Sequence, residues 1–163
     1  MKIIFAVTVL VVLVIFATIL KNHAPLFDTP GPLKRLAVYL TTNTAATSDN
    51  HPFPELRTPV YPVGPQKLYT AVKDAAINLG WSIIDSNDVE WRLHMVAKTH
   101  FLLFMDDVKV EIEPLEAAEG EHITALNIHS QSRLGSADFA ANADHIQQLV
   151  KAVNVRVELG YTH

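Results

Sequence analysis

Met105-Asp106-Asp107-Val108-Lys109-Val110-Glu111-Ile112-Glu113-Pro114 is the stretch on which the fold reading turns. From Val108 it alternates without a break: Val108, Val110 and Ile112 on one side, Lys109, Glu111 and Glu113 on the other. A strict period of two belongs to a strand with one face on a core and one in water. We read His100 to Glu113 as one long strand or a bulged pair, stopped by Pro114. Counting back by twos places Asp106 on the core face. An ionised carboxylate there costs several kcal/mol unless it is partnered.

Downstream, Glu116 to Glu121 supplies turn residues, and His122 to Leu134 repeats the alternation. Thr124, Leu126, Ile128, Ser130, Ser132 and Leu134 share one side, with Asn127, His129, Gln131 and Arg133 opposite. Upstream, Val89 to Val96 places Val89, Trp91, Leu93 and Met95 together, and Trp81 to Ile84 is a short apolar run. These segments predict about four strands joined by short connections, hence an antiparallel sheet. Two helices flank them. Gln66 to Leu79 carries Leu68, Val72, Ala75, Ala76 and Leu79 at helical spacing, with Gly80 as its stop. Asp138 to Leu159 carries Phe139, Ile146, Leu149, Val150, Val153 and Val157. Helix, four strands, helix is an α+β arrangement with both helices on one face of the sheet.

The amino-terminal end is different in kind. Ile3 to Leu20 is 18 consecutive uncharged residues, about 27 Å as a helix against a hydrocarbon core of ~30 Å. It ends Ala17-Thr18-Ile19-Leu20-Lys21, with no small-x-small cleavage pair in a polar context, so an uncleaved single-span anchor is expected rather than a signal peptide. The near charges favour a cytoplasmic amino terminus and hence an extracytoplasmic, periplasmic domain. Eight of the nine prolines fall between Pro25 and Pro65. Proline lacks an N–H and fixes φ, so residues 22–65 read as an extended tether, with at most a short edge strand at Val60-Tyr61. The organisation is an anchor over 1–21, a tether over 22–65 and a domain over 66–163.

Composition narrows the function classes. The chain has 13 Lys+Arg against 17 Asp+Glu, and leaving out Lys2 and Lys21 makes it 11 against 17. A domain that acidic is no partner for nucleic acid. There is no cysteine, so no disulfide and no thiolate chemistry. No phosphate loop, nucleophile–base pair or cofactor motif is present. The eight histidines lack zinc-ligand spacing, so no metal is expected, and His94, His100, His122, His129 and His145 read as solvent-facing. Ser130 and Ser132 beside His129 make no triad, because adjacent strand residues face opposite ways.

Two polar segments remain. Asp106 and Asp107 follow Phe104; Ser130, Ser132, Arg133, Gly135, Asp138 and Asn142 run from the last strand into the last helix. Two readings of Asp106 compete: hydrogen bonding to Ser130 and Ser132 or pairing with Arg133, or a functional carboxylate. Gly135 supplies a positive φ, Ser136 or Asp138 caps the helix, and Asn142, four residues on, joins a network with Arg133. Such a corner is a structural joint, or else a polar pocket in which Arg133 holds an anion.

These segments resemble an uncharacterised bacterial family, domain of unknown function 1499. Its members carry an aromatic-x-Asp-Asp-Val-Glu strand and then Ser-x-Ser-Arg-x-Gly-x-x-Asp-x-Gly-x-Asn. The chain departs from that pattern at His129, Ala140, Ala143 and His145, and Thr42-Asn43-Thr44 stands where relatives have Pro-Asn-Cys. The resemblance implies membrane anchoring or export and no established activity. The leading expectation is a non-enzymatic envelope domain binding a protein partner or an apolar ligand. The alternative is a hydrolase using Asp106 or Asp107 with Arg133 and Asp138.

Overall fold

The structure, a computed structural model, describes residues 1–98 and 105–159. Helix α1 (Lys2–Lys21) stands out from the rest, and α2 (Pro32–Thr41) follows a ten-residue loop. Strands β1 (Thr44–Ala46) and β2 (Val60–Tyr61) bracket a 3-10 turn at Pro54–Leu56. Then come α3 (Pro65–Asn78), β3 (Ser82–Asn87), β4 (Arg92–Lys98), β5 (Met105–Leu115), β6 (Ile123–Ser132) and α4 (Ala141–Leu159). The sheet is antiparallel, in the order β1-β6-β5-β4-β3, with β2 also paired to β6.

The four main strands are where the alternation puts them, and β1 and β2 raise the number to six. Leu93, Met95, Val108, Val110, Ile112, Leu126 and Ile128 form the covered face of the sheet. Leu68, Val72, Ala75, Ile146, Leu149 and Val153 press onto them from α3 and α4. The opposite face, with Arg92, Lys109, Glu111 and His129, is open to water. Gly80, at φ +73°, ends α3 with its own N–H and that of Trp81 turned back onto the helix.

Three differences from the sequence expectation have physical causes. Pro114 does not end β5, which continues to Leu115. The Ile112 N–H points toward β4, to the Trp91 carbonyl, and two residues on Pro114 faces the same side. The β4 pairing begins only at Arg92, opposite Glu111, so proline's missing N–H forfeits no ladder bond there. Val89 is not on the core face, because β4 starts after a turn in which Trp91 takes a positive φ of 54°. The largest difference is the segment 22–65. Its prolines sit at the first turns of α2 and α3, in the 3-10 turn and in loops, places where a missing N–H is harmless. Tyr39, Phe53, Leu56, Tyr61 and Val63 are buried in the common core, so the segment is woven into the domain. The Tyr61 hydroxyl donates to Asn154 Oδ1 of α4 at 2.8 Å, and Thr124 Oγ1 to the Val63 carbonyl at 2.6 Å.

Candidate functional site

The polar motif is assembled where β6 hands over to α4. Gly135, at φ +88°, turns the chain away from the sheet. Asp138 then receives the N–H groups of Ala140 and Asn142, each at 3.0 Å, and so caps α4. Phe139 and Ala140 both have positive φ, 52° and 72°, a strained pair for residues with side chains. They are held from several directions. The N–H of Phe139 bonds the Tyr39 carbonyl, and that of Asp138 the Thr42 carbonyl. From the end of α1, Asn22 Nδ2 donates to the Phe139 carbonyl at 2.9 Å.

Asn142 is the hub of the corner. It is fully buried, accepts a bond from Ser130 Oγ at 2.6 Å, and donates from Nδ2 to the Asn43 carbonyl, Ser132 Oγ and Asp138 Oδ2. Asn43 closes the ring: its amide reaches the Gly135 carbonyl at 2.7 Å, and its carbonyl accepts the Ser132 N–H. Burial raises the pKa of Asp138, and the bonds from Asn142 and Ala140 partly offset it.

Arg133 is not in this ring. It lies on the open face of the sheet and grips Asp107 with Nε at 2.8 Å and Nη2 at 2.7 Å. His94 Nε2 adds a third contact to the same carboxylate at 2.8 Å. The Arg133 guanidinium, helped by His94 and opposed by partial desolvation, holds Asp107 down at about 2.

Asp106, one residue away, faces inward and is 1% exposed, as the alternation predicts. Its anticipated partners are otherwise engaged, Ser130 and Ser132 by Asn142 and Arg133 by Asp107. What faces it is His145 of α4, Nδ1 to Oδ2 3.5 Å, too long for a good hydrogen bond. Among the described residues neither Asp106 oxygen nor His145 Nδ1 has a hydrogen-bond partner. The imidazole meets Trp81 edge to face, ring centroids 5.6 Å apart. Burial lowers its pKa, against the opposing pull of Asp106 and Asp144. The reading of His145 as solvent-facing is thus corrected; it is apolar-packed and sealed. Phe104 and His100 fall outside the described residues.

The sheet therefore divides the eight motif residues. Asp106, Ser130, Ser132, Asp138 and Asn142 are on the helix side, Asp107 and Arg133 on the open side, and Gly135 is at the turn. Asp106, Asp107, Arg133 and Asp138 share no cleft. Among the described residues no group of three His, Asp or Glu side chains could hold a metal ion.

A family model described as a protein of unknown function, DUF1499, matches residues 36–153. The chain belongs to this family. No curated protein matches it. The part matched to the family contains the whole corner and its Asn43 partner, whereas α1 and the loop after it lie outside the match. Sequence reasoning left two parts of the assembly unassigned. Asn43 appeared only as the counterpart of a segment in relatives. Arg35, which braces the loop between α1 and α2, gave no signal, because one arginine on a short helix reads as a solvated charge.

Proposed function

We propose that this member of the family is held in a membrane by α1, with its folded domain on the extracytoplasmic side, and that the domain acts by binding a protein partner rather than by catalysis. The observation that carries the anchoring is α1 itself. It is 20 residues long, has a mean hydropathy of 3.2, and leaves nearly all its side chains uncovered by the rest of the chain. A long apolar helix without a protein partner in its own fold is stable in lipid and a liability in water.

Binding rather than catalysis is supported by how the polar groups are used. The carboxylate most costly to bury, Asp106, is closed to solvent, and the remaining motif side chains are engaged with one another or with backbone. The more enclosed space bounded by Tyr39, Phe53, Leu56 and Asp138 is about 110 Å³, below the ~300–1,000 Å³ of ordinary ligand pockets. The larger spaces along α3 and α4, about 330 and 550 Å³, are open furrows rather than cavities that would enclose an apolar small ligand. A filled core with exposed apolar side chains suits a protein partner better. Ile77 of α3 with Val155 and Leu159 of α4 lines an open furrow of that kind.

Vesicles of both orientations test the reading. Full-length protein should stay in the membrane fraction through salt and alkaline washing and leave only with detergent. Protease added outside should degrade the domain in right-side-out vesicles and spare it in everted ones. Release by alkali would overturn the anchoring, and the reverse protection pattern would overturn the orientation. Cross-linking from Ile77→Cys and Val155→Cys should trap one discrete partner; uniform labelling of many proteins would count against the binding reading.

A further inference from the structure

α1 is not joined to the domain by a loose hinge. Ile19 is 1% exposed and belongs to the common core, with Ile15 packed against the same cluster one turn earlier. Just beyond, Asn22 bonds the Phe139 carbonyl, and His23 Nδ1 lies 3.5 Å from Asp144 Oδ1. The loop that follows is pinned from below by Arg35, which is fully buried. Its Nε donates to the Asp28 carbonyl at 3.1 Å and Nη2 to the Thr29 carbonyl at 2.6 Å. Nη1 and Nη2 together hold Glu55, and Nη1 also reaches the Tyr39 hydroxyl. Five N–H donors meet five acceptors, and the guanidinium lies 4.3 Å from the centre of the Phe53 ring. A loop held this firmly nevertheless projects two large apolar side chains into the open, Phe27 at 86% and Leu33 at 83% exposure.

Length decides what meets them. If the domain began where its contacts begin, at Ile15, the free part of the span would be 12 residues, Ile3 to Val14, or about 18 Å. That is more than 10 Å short of the ~30 Å hydrocarbon core. The bilayer must therefore reach turns of α1 on which the domain is already packed, which draws the neighbouring domain surface to the level of the headgroups. Phe27 and Leu33 follow the end of α1 by six and twelve residues, in the loop and at the start of α2, with the exposed Lys34 next to Leu33 to meet lipid phosphates. Asp28, exposed beside Phe27, keeps the contact shallow.

We infer that the domain is seated on the bilayer, with Phe27 and Leu33 inserted at the boundary between headgroups and acyl chains. This rests on the membrane reading of α1 above. The chain has no cysteine, so single-cysteine variants can each carry one fluorophore. Full-length Val9→Cys, Phe27→Cys, Leu33→Cys and Val89→Cys would be labelled in liposomes of mixed neutral and anionic phospholipid, with lipid-borne spin labels as quenchers. Val89, 83% exposed in the β3–β4 turn at the sheet edge opposite β1, serves as the reference position on the domain. Interfacial segments lie about 5–10 Å into the boundary. Labels at 27 and 33 should therefore be quenched severalfold more by shallow than by deep spin labels, with 9 strongly quenched and 89 untouched. Quenching at 9 with 27 and 33 as silent as 89 would overturn the seating and leave the anchor intact. Silence at all four positions would overturn the anchor and the seating with it.

Discussion

Arg35 and Asp106 are both ionisable side chains with essentially no exposure, and they are buried in opposite ways. Arg35 has an acceptor for every donor. Asp106 has two oxygens without a hydrogen bond among the described residues and one imidazole nitrogen at 3.5 Å. Removing a partner from a saturated buried charge leaves other groups stranded, whereas an unsatisfied one leaves little to strand. The first arrangement is what a joint requires. The second is a carboxylate that the surrounding fold holds in place without rewarding it.

Mutations can break this contrast. Arg35→Ala should show the largest loss, about 3–5 kcal/mol in urea unfolding of the detergent-solubilised chain, since it strands Glu55 and two loop carbonyls. Arg35→Lys should recover only part, because three donors on a point charge cannot reproduce a five-donor fork. Asn142→Ala should cost about 2–3 kcal/mol by the same measurement, through the unpaired Ser130, Ser132 and Asn43 groups it leaves. A neutral outcome for either would mean that the bonds do not support the fold.

Smaller effects sharpen the comparison between neighbouring aspartates. Asp107 is held at about 2 against an ordinary 3.8, its carboxylate favoured by Arg133 first and by His94. A depressed pKa contributes stability above the unfolded value and loses it as pH falls through the folded one. The gap between the parent and Arg133→Ala, visible at pH 6, should therefore close between pH 4 and pH 2. Asp106→Asn should move stability least, within about 1 kcal/mol of the parent or above it, because it replaces a buried carboxyl group that has no hydrogen bond to lose. A large loss there would mean that the Asp106–His145 contact is a stabilising pair after all.

The legibility of the fold follows the same physics. Period-two alternation through Val108, Val110 and Ile112, and helical spacing through Ile146, Leu149 and Val153, are local signals, and both survive in the structure. Asp106 was placed on the inner face by counting alone. The same counting put Arg133 on the opposite side but did not reveal its partners there, because Asp107 lies on the next strand and His94 on the one beyond. Asn43 and Arg35 were invisible for a related reason: their partners lie far along the chain or on backbone carbonyls. The prolines between Pro25 and Pro65 misled because proline forbids helix interiors and central strands but not first turns, edges or loops.

The central claim is that the segment between α1 and α3 is built into the domain and fixes it to its anchor. Hydrogen exchange on the full-length chain in lipid nanodiscs tests it most directly, at the amides of α2 and at Thr47 and Ser132, which bond the Ile128 and Asn43 carbonyls at 2.9 Å. The account predicts protection comparable to that of α4. Exchange at the rate of an unstructured peptide across α2 and Thr47, with α4 still protected, would contradict it.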